Sequence, residues 1–281
     1  MSFDYSVVDE DGLYATISKE NAAGVVESVT LKAQVNLVNE SDPTDPLYYE
    51  QWYLSEIRIK TAWQDYSGQG VKIGVFEGDY GNPLNHLHID LDDNIANYYL
   101  NDVLYSEDIE GFSNHATLVA GVIAAEKNNL GSIGIAYNST IASHSWSPDI
   151  DGLDNLINYD VANNSWGTVT PFADDFVKDH GDSVFFEERE RGIESAAQYG
   201  RDGLGTNIIF AGGNSRATGD NVNYHNTQNS RFVSTIGSIN QEGDLSKLIE
   251  ASDPFSNPGS AILVSAPGSN IKSTAILLEN N

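Results

Sequence analysis

A histidine, an acid and an amide stand where a chain of alternating strands and helices would deliver them to one cleft. His115 heads the run Asn114-His115-Ala116-Thr117-Leu118-Val119-Ala120-Gly121-Val122-Ile123-Ala124-Ala125, whose small and apolar residues predict a packed helix. A general base must be held still and presented to a cleft, and the first turn of a packed helix does both. Upstream, Gly70-Val71-Lys72-Ile73-Gly74-Val75-Phe76-Glu77-Gly78-Asp79 is a buried-strand pattern that ends in acids. A carboxylate at that end can accept the Nδ1 proton of an imidazole, fix its tautomer and stabilise the imidazolium. The strand register gives that role to Glu77, while Asp79 takes it if the strand end bulges or its turn shifts. Asn214 follows the apolar run 206–211 and Gly212-Gly213, where its side-chain amide can donate to a developing oxyanion. Each residue also has a plain structural use: a histidine can open a buried helix, and an asparagine can turn a strand end.

The elements that must position these groups follow from hydrophobic patterning. Residues 71–76, 161–166, 206–211, 232–239 and 261–266 read as strands, and 133–141 as extended chain. Residues 115–125 and 184–199 read as helices. In the second of these, Phe186, Ile193 and Ala197 share one face, and Glu187 and Arg191 pair on the other. Such a series predicts an α/β fold, a parallel sheet with helices on both faces. Residues 1–40 instead alternate apolar and polar positions, with turn signals at Asp11-Gly12 and Ala23-Gly24, and predict a short β-rich N-terminal segment or linker. The Pro- and Asp-rich stretch 39–46 marks the boundary, so residues 41–281 form the second domain.

Over residues 43–274 the chain resembles the kexin and furin branch of the subtilase serine peptidases. The resemblance rests on the run from Pro43 through Asp45, Pro46, Gln51 and Trp52 to Leu54, on the acid strand ending at Glu77, and on the His115 helix. It rests equally on Asn163-Asn164-Ser165-Trp166-Gly167 and on Gly200-Arg201-Asp202-Gly203-Leu204-Gly205-Thr206-Asn207 leading to Asn214. The resemblance implies a subtilisin-like sheet and an acid, histidine and serine triad in which His115 is the base, Glu77 its partner and Asn214 the oxyanion donor. It further implies that Ser165, Trp166, Gly167, Gly212 and Gly213 line bound substrate. Two departures stand out. The family's acid is usually Asp, and no Gly-Thr-Ser-small-Ala-Pro motif follows Val264-Ser265-Ala266-Pro267-Gly268 within the 281 residues. The nucleophilic serine is therefore absent from this chain, which reads as a peptidase domain that is incomplete at its C-terminus and inactive alone.

The same resemblance implies a structural calcium site formed by Asp45, Asp90 and Asn129 with carbonyls of the 126–134 loop, oxygen ligands suited to that hard cation. Asp220 stands near a second position of this kind, but Thr168 and Asn257 occupy places where the family supplies carboxylates. Basic-residue selectivity is also in doubt, since Gly78 and His225 replace acids that line the family's subsites. His86, His88, His144 and His180 read as structural or surface residues.

Composition bounds the remaining choices. With 14 Lys plus Arg against 41 Asp plus Glu, the net charge is −27, which repels nucleic acid and anionic membranes. There is no cysteine, so thiol chemistry and disulfides are excluded. No apolar run long enough to cross a bilayer is present, so no membrane insertion is expected. The expected partners are a protein or peptide substrate and other domains of a larger parent protein, and the expected location is secreted or on the cell surface. Residues 3–17 resemble the last strands of Ig-like repeats of large bacterial surface proteins, and a pro-segment remnant or plain linker fits them as well. The alternative to a peptidase is a catalytically inactive, calcium-dependent binding module of such a surface protein.

Overall fold

The structure, a computed structural model, describes the strands within residues 1–41 together with residues 42–77, 82–96, 111–145, 153–168, 170–172, 184–249 and 251–274. The chain divides into two compact units, Met1–Asp42 and Pro43–Asn281. In the first, β1 (Tyr5–Val8), β2 (Leu13–Ser18) and β3 (Ser28–Ala33) form a three-stranded antiparallel sheet in that order. The two turn signals lie outside the described residues.

In the second unit a six-stranded sheet carries β4 (Lys72–Glu77), β5 (Thr140–Ser145), β6 (Val161–Asn164), β7 (Asn207–Ala211), β8 (Val233–Ile239) and β9 (Ile262–Pro267). The spatial order is β5-β4-β6-β7-β8-β9, and every neighbouring pair is parallel. Successive side chains of a strand leave by opposite faces, and β4 uses both. Ile73 and Val75 pack with Ala116, Ala120 and Ala124 of α3 (Asn114–Ala124). Phe76 packs on the other side with Ile193 and Ala196 of α4 (Val184–Gly203), and with Ala162 and Phe210. Helices thus cover both faces, as the near-continuous apolar run of β4 requires.

Three local expectations are corrected. The stretch 133–141, read as extended chain, becomes a strand only at Thr140. The preceding residues lie along the last turn of α3 instead: Gly134, Ile135 and Ala136 donate their amides to the carbonyls of Ala125, Val122 and Ile123. They satisfy helix-end acceptors that would otherwise be orphaned, which explains an apolar segment that is not a strand. On α4, Ala196 rather than Ala197 joins Ile193 in the core, and Arg191 lies 3.9 Å from Glu188 rather than pairing with Glu187. The helix breaks at residues 200–202, where Arg201 and Asp202 take left-handed conformations. The side chain of Phe186 lies outside the described residues.

A third apolar cluster joins Tyr53 and Leu54 of α1 (Trp52–Glu56) and Ile59 of α2 (Ile59–Ala62) to Ile133. The segment is tied in by polar contacts as well. Trp52 Nε1 donates to Ser269 O at 3.1 Å, and Gln51 exchanges hydrogen bonds with the backbone of Ile133 at 2.9 and 3.0 Å.

Candidate active site

The last residue of β4 meets the second residue of α3. His115 Nδ1 lies 2.7 Å from Glu77 Oε2. An ionised carboxylate only accepts, so the proton sits on Nδ1 and the basic nitrogen of the neutral ring is Nε2. Glu77 is 2% exposed while the His115 side chain is 59% exposed, so the ring is anchored from below and presented outward. Glu77 Oε1 is buried with no hydrogen-bond partner among the described residues. The helix that carries the ring is itself fixed: Ser113 caps it by accepting the amide of Ala116 at 3.1 Å, and Thr117 Oγ1 donates to Ser113 O at 2.7 Å. The extra methylene of Glu77 is accommodated without a bulge, because β4 stays in register with β5 as far as Glu77 and with β6 as far as Phe76. Asp79, the alternative acid, lies outside the described residues.

The sheet register sets the other residues beside this pair. Phe76, Asn164 and Phe210 are level across β4, β6 and β7, so the chain leaves all three strands at one carboxyl edge. Ser165 follows β6, and its amide reaches Phe76 O at 3.4 Å. Asn163 Nδ2 donates to Ser165 Oγ at 3.0 Å, and Trp166 Nε1 donates to Asn164 Oδ1 at 3.2 Å. The Trp166 ring packs edge-on to Phe210, and the buried Arg189 of α4 stands 5.4 Å from its centroid. After β7, Gly212 donates its amide to Ile236 O, and Gly213 turns with φ +90, a conformation that favours glycine. Asn214 is exposed at this turn, whose flanks are held by Asn257: its amide donates to Gly213 O at 3.0 Å, and its Oδ1 accepts from Ser215 N at 2.8 Å.

A histidine on a carboxylate, an extended segment after one strand and an amide turn after the next are now on one edge. The Subtilase family model matches residues 68–281. The chain belongs to the subtilase family. Its curated relatives include proprotein convertase subtilisin/kexin type 7 of Homo sapiens, 30% identical over 224 residues, which covers 71% of this chain and 27% of that protein. Kexin of Saccharomyces cerevisiae is 29% identical over 245 residues, covering 78% of this chain and 27% of that protein. The chain therefore spans about a quarter of the length of these relatives. Among solved structures, a serine protease of Aeromonas sobria superposes with a TM-score of 0.62 at 22% identity, over 80% of this chain and 43% of that one.

In this subtilase, Asp45, Asp90 and Asn129 gather in a second place, around the loop that follows α3. Asp45 Oδ1 accepts the amides of Asn128 and Asn129 at 3.1 Å each. Asp90 Oδ2 accepts from Ser132 N at 3.1 Å and from Thr274 Oγ1 at 2.6 Å. The side chain of Asn129 accepts a hydrogen bond from Thr44 Oγ1. Asp45 Oδ2 and Asp90 Oδ1 are buried without hydrogen-bond partners among the described residues. Burial pushes the Asp90 carboxyl above its ordinary range; hydrogen bonds from Thr274 and Ser132 and the nearby His88 pull it down, while Asp45 pushes it further up. Two orphaned anionic oxygens fit a hard cation. Among the described residues no cluster of three or more His, Cys, Asp or Glu is present that could hold a metal, so Asn129 and backbone carbonyls would complete the set.

The histidines outside the pair have structural surroundings. His86 stands edge-on to Phe112, His88 Nδ1 accepts the amide of Asp90, and His144 stacks on Phe76 and hydrogen-bonds the Tyr159 hydroxyl. Burial pushes His144 down to about 4. His180 lies outside the described residues. Sequence reasoning missed Thr274 and Ser132 on Asp90 and Arg189 beneath Trp166. The only signal for Thr274 was the glycine at 121: a Cβ there would meet Thr274 at 2.6 Å, which betrays the chain crossing α3.

Proposed function

We propose that this chain is most of the catalytic domain of a kexin-type serine endopeptidase that hydrolyses peptide bonds. The observation that carries the reading is the 2.7 Å contact between His115 and Glu77 at the carboxyl edge of the sheet. His115 Nε2 takes the proton of a serine hydroxyl as that oxygen attacks the peptide carbonyl, and Glu77 stabilises the imidazolium that results. Asn214 donates its amide to the tetrahedral oxyanion, and losing an oxyanion donor of this kind costs a subtilisin roughly 10² to 10³ in turnover. Ser165, Trp166 and Gly167 on one side and Gly212 and Gly213 on the other line the extended substrate. The serine is not among the 281 residues, so the chain alone performs no acyl transfer. Asp45, Asp90 and Asn129 hold a structural calcium ion, whose charge would meet the two orphaned oxygens and pin the 43–51 segment to the core. The substrates are proteins or peptides, met outside the cell or at its surface, and other domains of a longer parent are the remaining partners.

A serine-directed phosphonate tests the assignment. The 281-residue chain should stay unlabelled, whereas an extended chain carrying a Gly-Thr-Ser segment after Asn281 should label stoichiometrically and lose labelling on His115→Ala. Labelling of the shorter chain, or equal labelling of the His115→Ala variant, overturns it. The glutamate in place of the usual aspartate and the missing serine motif favour a second reading, an inactive calcium-dependent binding module. Under that reading the longer chain stays unlabelled as well.

A further inference from the structure

Beneath the two segments that would line substrate runs a chain of buried polar contacts. Thr168, directly after Gly167, has its Oγ1 3.0 Å from His225 Nδ1. His225 Nε2 lies 2.9 and 3.0 Å from the two oxygens of Asp220. Asn257 Nδ2 donates to Asp220 Oδ2 at 2.8 Å, and the rest of Asn257 holds Gly213 and Ser215 on either side of Asn214. The network therefore links the Ser165–Gly167 side of the cleft to the Gly212–Asn214 side. His225, Asp220 and Asn257 are 2%, 3% and 3% exposed.

The donor pattern is determined by Asp220. Its carboxylate accepts, so His225 Nε2 carries a proton, and in the neutral ring Nδ1 accepts from the Thr168 hydroxyl. Both oxygens of the one carboxylate in the network are engaged by donors that belong to the fold. A cationic side chain entering from the cleft meets a hydroxyl and an imidazole but no unengaged carboxylate of this network, and a buried cation without an anionic partner is strongly disfavoured. A neutral group fares better. Gln228, 4% exposed, donates Nε2 to Trp166 O at 3.4 Å and keeps Oε1 buried without a hydrogen-bond partner among the described residues, an acceptor that an uncharged donor can meet.

We propose that the Thr168–His225–Asp220–Asn257 network floors the pocket between these two segments, with His225 as the residue that sets it against cations. The substrate class is then peptides with an uncharged residue, rather than lysine or arginine, immediately before the cleaved bond. This rests on the peptidase reading above for its meaning, but the pocket can be probed without catalysis.

The test pairs benzamidine with benzamide, two probes of one shape that differ in charge, titrated into the 281-residue chain with nitrogen-15 detection. Benzamide should shift the Trp166 indole and the amides of Gly167 and Thr168, with benzamidine binding no more tightly. His225→Asp should reverse the order in favour of benzamidine by about tenfold or more, while His225→Asn keeps the order of the parent chain. Thr168→Asp brings a carboxylate to the floor from the opposite side and should reverse the order too, so misfolding of one variant leaves the other to decide. A parent chain that prefers benzamidine with shifts at Trp166 and Gly167 overturns the proposal. So does the absence of shifts at residues 165–168 and 212–215 with either probe, or an order unchanged in both folded aspartate variants. Phosphonate labelling is read separately: a labelled extended chain that prefers benzamidine keeps the peptidase and loses this floor, and an unlabelled one that prefers benzamide does the reverse.

Discussion

Asp90 and Asp220 are both almost fully buried, at 1% and 3% exposure, yet among the described residues Asp90 keeps an oxygen without a hydrogen-bond partner while both oxygens of Asp220 are met. Near Asp90 a second acid, Asp45, adds another orphaned oxygen and pushes the Asp90 carboxyl up. Near Asp220 the donors are an imidazole and an amide from the same unit. A buried carboxylate is tolerated when its charge is compensated, and the two clusters differ in what the described residues supply: donors to both oxygens at Asp220, and to one oxygen only at Asp90, the other being left for the proposed cation. One cluster should respond to a cation and the other should be indifferent to it.

Calcium gives the largest expected effect. An ion that binds only the folded state stabilises it by roughly 2.7 kcal/mol at a hundred times its dissociation constant. For a unit of this size that corresponds to a rise in melting temperature of about 5 to 10 °C. Asp45→Asn keeps an acceptor for the amides of Asn128 and Asn129 but removes charge, so it should abolish the calcium gain while costing little in chelator. Asp220→Asn should leave the calcium gain intact. Magnesium should substitute poorly, being smaller and reluctant to shed water. Identical melting curves with calcium and with chelator, starting from metal-free protein, would break the comparison at its first step; so would loss of the gain in Asp220→Asn.

What is legible in the sequence follows the range of the contacts. Glu77 at a strand end and His115 at a helix head are local patterns, and the rule that parallel strands present their carboxyl ends together is enough to put them at the same sheet edge as Ser165 and Asn214. The start of the strand at 140–145 is hidden because residues 133–137 are apolar for another reason, packing on the end of α3. The donors on Asp90 come from Ser132 and Thr274, and the Asn257 amide crosses to Asp220 from another loop. No spacing rule encodes such pairs, since the fold alone decides which polar loop residue faces which carboxylate.

The histidines repeat the contrast with a smaller effect. His225 has a carboxylate at 2.9 Å, whereas His144 is stacked on Phe76 and bonded to a phenol, and burial holds it down to about 4 against an ordinary 6.5. His144 is neutral in the folded state, so the unfolded chain binds its proton first as pH falls. Its contribution is complete above pH 6.5 and is lost as pH drops from there towards 4, reaching about 2 kcal/mol at pH 5. His144→Phe preserves the stacking surface and cannot titrate. Urea unfolding at pH 7 and pH 5 should show the parent chain losing about 2 kcal/mol more than this variant between the two conditions. An equal loss in both would mean that His144 is not held neutral by burial.

The finest test is one hydroxyl. Thr274 Oγ1 donates to Asp90 Oδ2 at 2.6 Å and also lies 2.9 Å from Ser132 Oγ, so it fixes the carboxylate through the oxygen opposite the orphaned one. Outer partners of this kind hold a ligand in its binding orientation, and one such hydrogen bond is worth about 1 kcal/mol, or roughly fivefold in affinity. Thr274→Val keeps shape and burial while deleting the donor, and Thr274→Ser keeps the donor while deleting a methyl. Calorimetric titration should show calcium bound about fivefold more weakly by the valine variant, with serine close to the parent. A valine variant that binds calcium as tightly as the parent would show that Asp90 is oriented by Ser132 alone. If the serine variant alone weakens calcium, the methyl's packing against α3, not the hydroxyl's hydrogen bond, is what matters at the cradle.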